Sequence, residues 1–245
     1  MEPVDPLGRT RLFLAVDGNS MPQARDLLEA GANPNHGTAV DGITPLLVAA
    51  RNGNSDMISL LLSVGADVNT GTSYHGATPL FVAALRGDVV STSLLLGASS
   101  NVNQWTKVEG LTPLFAAARG GFSDVASLLL AAGANVNQVS IGDGRSPLYM
   151  AAQNGHANVL SLLLEAGAQV DQATTSHGST PLFVACLNGN VEAVKLLLAQ
   201  GADKDVAITK EMCGIEAGST ALSAARLKGL SGIIGLLENS PSRAP

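Results

Sequence analysis

The sequence predicts an all-α solenoid of stacked helix-turn-helix units with protruding β-hairpin loops, and three observations carry that prediction. The first is a period. Thr44, Thr78, Thr112, Ser146 and Thr180 each open a Thr/Ser-Pro-Leu triplet, and each stands 34 residues from the next. The second is a run of three leucines at a fixed offset inside each of these five units, Leu60 to Leu62, Leu94 to Leu96, Leu128 to Leu130, Leu162 to Leu164 and Leu196 to Leu198. The third is a closing turn that ends on Asn or Asp, at Asn35, Asn69, Asn103, Asn137, Asp171 and Asp205.

Each triplet reads as a helix start, because Thr or Ser caps free backbone N–H groups and Pro suits the first helical position. This first helix is short, with small alanines at Ala49 and Ala50 or Ala83 and Ala84 that allow close packing, and it stops at Gly53, Gly87, Gly121, Gly155 or Gly189. Glycine takes the left-handed cap at little cost. The second helix carries the leucines, and three consecutive helical residues fan over roughly 200°. One neighbour cannot cover such a face, so the helix packs on its own partner and on the next unit, and an isolated unit is not expected to fold. Gly65, Gly133, Gly167 or Gly201 ends it. The Asn or Asp that follows bonds its own backbone in a turn and leads into a protruding hairpin.

Weaker copies extend the array to seven units, starting near residues 10, 44, 78, 112, 146, 180 and 220 of one 1–245 domain. In the first unit Asp26 stands where the others begin their leucine run and Asn19 replaces the glycine cap, the next-best left-handed residue. In the last, Arg226 replaces an alanine and Glu238 the third leucine. Polar residues at stacking positions mark both as capping units of a complete domain. Residues 1–7 and 239–245 read as disordered tails, and a step of 40 before the last triplet leaves a long loop at 206–218. The third unit reads as the soft point, with Ser99 in place of the cap glycine and Ser91 and Thr92 in place of the apolar pair Met57 and Ile58.

The units TPLFVAALRGD and LLLEAGAQVD resemble ankyrin repeats, and the resemblance spans about Gly8 to Glu238. It implies a curved ankyrin-repeat solenoid whose hairpins and first-helix ends line a concave, protein-binding face. The histidine that usually follows the triplet is absent; Phe13, Leu47, Phe81, Phe115, Tyr149 and Phe183 stand there, and a position kept apolar in every unit reads as packing rather than as a ligand ladder.

A net charge of −6 without a basic stripe argues against nucleic acid or an anionic membrane as partner. The N-terminus shows no secretory signal, and no apolar run is long enough to span a membrane. Cys186 and Cys213 fit no metal or disulfide framework. The default is a cytoplasmic or otherwise intracellular monomer, the nucleus included, since polar caps disfavour end-to-end stacking. No phosphate-cradling loop, metal cluster or nucleophile signature is present, so neither an enzyme nor a cofactor is expected.

Function then lies where the units vary while the scaffold stays constant. The candidate protein-binding residues are Arg51, Tyr74, His75, Arg86, Trp105, Glu109, Leu111, Arg119, Asp143, Arg145 and His177. Trp105, the only tryptophan, is demanded by no scaffold rule and reads as a contact anchor or as a side chain folded onto its own hairpin. Arg51, Arg86 and Arg119 read as a cationic row for an acidic peptide or as solvated helix-end arginines. The leading function is a non-enzymatic module that binds a protein or extended peptide. A second reading makes the chain a substrate: Asn69, Asn103 and Asn137 hold the position that asparaginyl hydroxylases modify in similar ankyrin repeats. A third, an enzyme built on the Cys213 loop, lacks any group that would activate the thiol beyond nearby Lys210.

Overall fold

The computed structural model describes residues 4–242, and among them the chain forms fourteen α-helices and no named strand, only two isolated bridges. The parts of the expected tails at residues 1–3 and 243–245 lie outside the described residues. The chain packs as two compact units, one reaching Pro113 and including Ala131–Ala134, the other holding Leu114–Leu130 and the residues from Asn135 onward.

In the first unit the helices come in pairs, α1 (Arg11–Asp17) with α2 (Met21–Glu29), α3 (Pro45–Asn52) with α4 (Ser55–Ser63) and α5 (Pro79–Arg86) with α6 (Val89–Gly97). First helices stack on first helices, α1 on α3 on α5, while α4 stacks on α6. The fourth repeat contributes α7 (Pro113–Gly120) and α8 (Ser123–Ala131). The second unit repeats the pairing with α9 (Pro147–Asn154) and α10 (Ala157–Glu165), α11 (Pro181–Asn188) and α12 (Val191–Ala199), α13 (Ala221–Leu227) and α14 (Ser231–Asn239). Here α9, α11 and α13 form one row and α10, α12 and α14 the other.

The caps follow the sequence signals. Thr44 Oγ1 accepts from Leu47 N at 3.3 Å, and Thr10, Thr78, Ser146 and Thr180 do the same three residues on. Gly53, Gly87, Gly155 and Gly189 close their helices at φ 70° to 76°. The leucine fan resolves into one deep residue and two flanking ones. Leu61, Leu95, Leu129, Leu163 and Leu197 are fully buried, while the leucine on either side of each is half-buried. The six residues following the triplets, Phe13 to Phe183, are buried, as a packing role requires.

The third repeat carries the irregularities its sequence announced. Ser99 is held left-handed at φ 63°. Ser91 and Thr92 are both fully buried; the Ser91 hydroxyl donates to Asp88 Oδ2 at 2.6 Å, but Thr92 Oγ1 has no partner. A buried hydroxyl left unpaired keeps its desolvation penalty. Thr92→Val, of nearly the same shape, is therefore expected to raise stability by about 1 kcal/mol, read as a higher midpoint in urea; an unchanged or lower midpoint would show that Oγ1 is satisfied by solvent.

Residues expected as loop or tail are built into the fold. Asp5 Oδ1 accepts from the N–H groups of Leu7 and Arg9 at 2.9 Å, its Oδ2 pairs with Arg9 Nε at 2.7 Å, and Val4 bridges Thr10. The backbone N–H of Arg9 is the first cause holding the Asp5 carboxyl below its ordinary range. In the 206–218 segment, Met212 and Ile215 exchange backbone bonds around Cys213 and Gly214, both left-handed. Ile208 and Ile215 are buried against Phe183, Leu187 and Ala224, with Met212 packed beside them. Arg226 and Glu238, the two polar replacements of the last repeat, pair at 2.8 Å between α13 and α14.

Candidate functional site: the finger rows

Each protruding loop is a tight finger closed by its own threonine or serine. In one, Thr72 N donates to Ala77 O at 3.1 Å, Gly76 N donates to Thr72 O at 2.8 Å, and Thr72 Oγ1 accepts from Ala77 N at 3.1 Å. The same bonds close the fingers Thr38–Ile43, Thr106–Leu111, Ser140–Arg145 and Thr174–Ser179. Glycine at the fifth position is required twice over: Gly76 has φ 68°, and a Cβ there would stand 2.7 Å from Lys107 Cγ.

Neighbouring fingers are laced by backbone bonds in a repeating register. Ser73 N donates to Asp41 O at 2.8 Å and Lys107 N to His75 O at 2.7 Å in the first unit; Thr175 N donates to Asp143 O at 2.9 Å and Thr209 N to His177 O at 2.7 Å in the second. Ala39 N donates to Leu7 O at 3.1 Å in the same register, so Val4–Thr10 is a finger as well. The expected disordered tail over residues 1–7 is thereby corrected at residues 4–7, whose place in a finger only the closing step Gly8, Arg9, Thr10 announced. The usable signal was Gly8, which keeps the step of 34 to Gly42 and sits at φ 75°.

The recurrent asparagines staple successive repeats. Asn35 Nδ2 donates to Gly65 O and its Oδ1 accepts from Asp67 N; Asn69 Oδ1 accepts from Asn101 N at 2.8 Å; Asn103 Nδ2 donates to Gly133 O at 3.2 Å. In the second unit Asn137 bonds both Gly167 O and Gln169 N, and Asp171 Oδ1 accepts from Asp203 N. Turn geometry and stapling together account for their recurrence. Asp67, held below the ordinary carboxylate range first by the Thr70 hydroxyl, belongs to the same loop network.

The candidate residues fall into three groups. In the first unit Tyr74 is 70% exposed and meets the His75 ring edge-on, centroids 4.8 Å apart, at a fingertip that Glu109 shares in the next finger. Trp105 is 51% exposed and lines a hollow of about 540 Å³ with Gly71, Gly76, Asn101, Asn103, Gln104 and Lys107. No first-helix residue lines that hollow, so Trp105 faces the loops. Leu111 closes its finger on Thr106 and is half-buried. At the helix ends Arg51 and Arg86 line a second hollow of about 760 Å³, together with Asp17 and Asn54. Arg51 is not a bare cation: Asp17 Oδ1 lies 3.0 Å from its Nη2, and Asp17 occupies the equivalent position one repeat earlier.

The second unit holds the remaining four residues. Arg119 has an exposed side chain, and its carbonyl accepts from Asn154 Nδ2 at 3.0 Å and lies 3.1 Å from His156 Nε2. Asp143 pairs with Arg145 at 2.9 Å, whose guanidinium lies 6.0 Å from the centre of the Tyr149 ring. Burial pushes the Tyr149 hydroxyl up from its ordinary value. His177 Nδ1 lies 2.9 Å from Ser176 Oγ. Among the described residues no group of three His, Cys, Asp or Glu side chains is disposed to hold a metal, and no helix is long and apolar enough to cross a membrane.

Paired helices stacked in rows, with laced fingers carrying variable side chains, define a repeat scaffold of the kind that presents a surface rather than a catalytic cleft. The sequence profile of Ankyrin repeats (3 copies) matches residues 12–104, 64–140, 91–174, 135–208 and 170–240, and the chain belongs to the ankyrin repeat family. Its structure is similar to the crystal structure of the human ASB11 ankyrin repeat domain, with a TM-score of 0.79 and 28% identity over 96% of this chain and 100% of that one. No curated protein sequence matches the chain. Ankyrin repeats are generally protein-interaction modules and not catalysts.

Proposed function

We propose that this chain is a non-enzymatic interaction module that holds a protein or an extended peptide against its fingers and first-helix ends, the concave face of ankyrin stacks. One contrast carries the reading. Positions that repeat are buried or hydrogen-bonded, whereas Tyr74, Trp105 and Glu109 sit at scaffold-free positions and face solvent. Tyr, Trp and Arg with a polar rim are the residue types from which binding hot spots are built. Two unbonded thiols, one of them exposed, suit a reducing compartment, and the reading places the module inside the cell as a monomer.

Two triple variants test it, one per unit: Tyr74→Ala, Arg86→Ala, Trp105→Ala; and Asp143→Ala, Arg145→Ala, His177→Ala. With helicity matched by circular dichroism, one of them is expected to lose at least tenfold of the protein that the native chain captures from its source lysate. Equal capture by all three chains places the binding surface elsewhere. Hydroxylation of the finger-base asparagines is the second reading, favoured by the exposure of Asn103; a gain of one oxygen on that peptide from native material is the result it requires.

A further inference from the structure

The four fingers of the first unit carry a row of exposed apolar side chains that the scaffold does not use. Pro6, Val40, Tyr74 and Val108 hold the third position of their fingers; all four are exposed, Val40 by 74%. The equivalent positions in the second unit are Gly142, Ser176 and, after Thr209 in the same register, Lys210. At the next position stand Leu7, Asp41, His75 and Glu109, and neither Asp41 nor Glu109 makes an ion pair among the described residues. Lys107, the one cation at these tips, donates to Ser73 O at 3.0 Å.

The spacing of the row selects its occupant. Each finger brings two antiparallel backbone segments, and the next finger is joined by one backbone hydrogen bond, so the rungs repeat at about twice the strand spacing, about 9.5 Å. A β-strand shows the same face every ~6.7 Å and cannot follow such a row. An α-helix returns to one face after seven residues, about 10.5 Å, and slips about 3 Å over three steps. A polyproline II helix returns to one face every three residues, about 9.3 Å, and stays in step across all four rungs. Aromatic surfaces also suit such a chain, whose carbonyls have no internal partners. Tyr74 offers a ring on the third rung, and the Trp105 indole N–H has no acceptor among the described residues.

We propose that the fingertip row of the first unit binds a polyproline II segment with proline or another apolar residue at every third position and basic residues six apart, facing Asp41 and Glu109. This rests on the interaction-module reading and names the chemistry of its partner.

The test uses the full chain and the peptide Pro-Gln-Ala-Pro-Arg-Ala-Pro-Gln-Ala-Pro-Arg-Ala. Trp105, the only tryptophan, supplies the fluorescence signal, with calorimetry beside it. Saturable binding is expected, weakened at least tenfold by Tyr74→Ala, by Asp41→Lys with Glu109→Lys, and by a peptide of the same composition with its prolines gathered at one end. Absent binding, equal binding of the two peptides, indifference to both sets of substitutions, or preference for a helical peptide with leucines seven apart would each overturn the proposal. Lysate capture that is lost with Tyr74→Ala, Arg86→Ala, Trp105→Ala while the peptide is ignored keeps the interaction module and rejects only its polyproline partner.

Discussion

Phe183→Ala is expected to lower stability by about 3–5 kcal/mol, the range for removing a buried aromatic ring. Phe183 is 1% exposed, and its ring is packed by Leu187, Ile208, Ile215 and Ala224. Those neighbours come from three segments: α11 itself, the 206–218 loop and α13. The cavity cannot close by a shift of one side chain, because α11 also stacks on α9. In a repeat array each unit leans on its neighbours, so the loss is expected to begin locally. Hydrogen exchange should show the Ile208 and Gly218 amides, which bond Ser219 O and Ile208 O, losing protection together with α13. A drop below 1 kcal/mol in urea, or protection of those amides unchanged, would mean that the loop does not depend on this ring.

The same segment shows what the sequence could and could not say. Its extra length was plain from the step of 40 before the last triplet, but not the path the loop takes. The structure folds Ile208 and Ile215 inward, around a turn that holds Cys213 at φ 53°. Cysteine carries no left-handed preference, so no residue announced the turn. By contrast the helix pairs were legible throughout, because every one repeats the same physical solution at the same spacing. The first finger was legible only through Gly8, Arg9 and Thr10, since Val4 to Leu7 share no residue with later fingers. The surroundings of Arg51 were hidden for a related reason. Arg51 looks like a free cation along the chain, and its partner Asp17 is found only by setting one repeat on the next. Trp105 was legible as a hairpin residue that no scaffold rule demands, and the packing sets its exposed side chain beside Gly71, Gly76 and Lys107 of the loops.

Cys186 gives the stack a dependence on alkaline pH. It replaces the alanine found at Ala50, Ala84, Ala118 and Ala152, is fully buried, and burial pushes its thiol from 9.0 up to about 12. A raised value means that the folded chain keeps the proton where the unfolded chain has released it. The stabilising contribution is therefore whole below pH 9 and is lost as pH rises from 9 towards 12. At about 1.4 kcal/mol per pH unit, the loss between pH 8.5 and 10.5 comes to about 2 kcal/mol. Tyr149, raised by burial as well, acts in the same direction and is present in both chains compared. Unfolding free energies of the native chain and of Cys186→Ala are thus expected to diverge over that interval, with the variant losing about 2 kcal/mol less. Parallel curves would show that the Cys186 thiolate finds solvent or a cation in the folded state. Thiol labelling supplies an independent measurement: at pH 8 the native chain should modify Cys213, which is exposed, and leave Cys186 unmodified until urea unfolds the repeat around it.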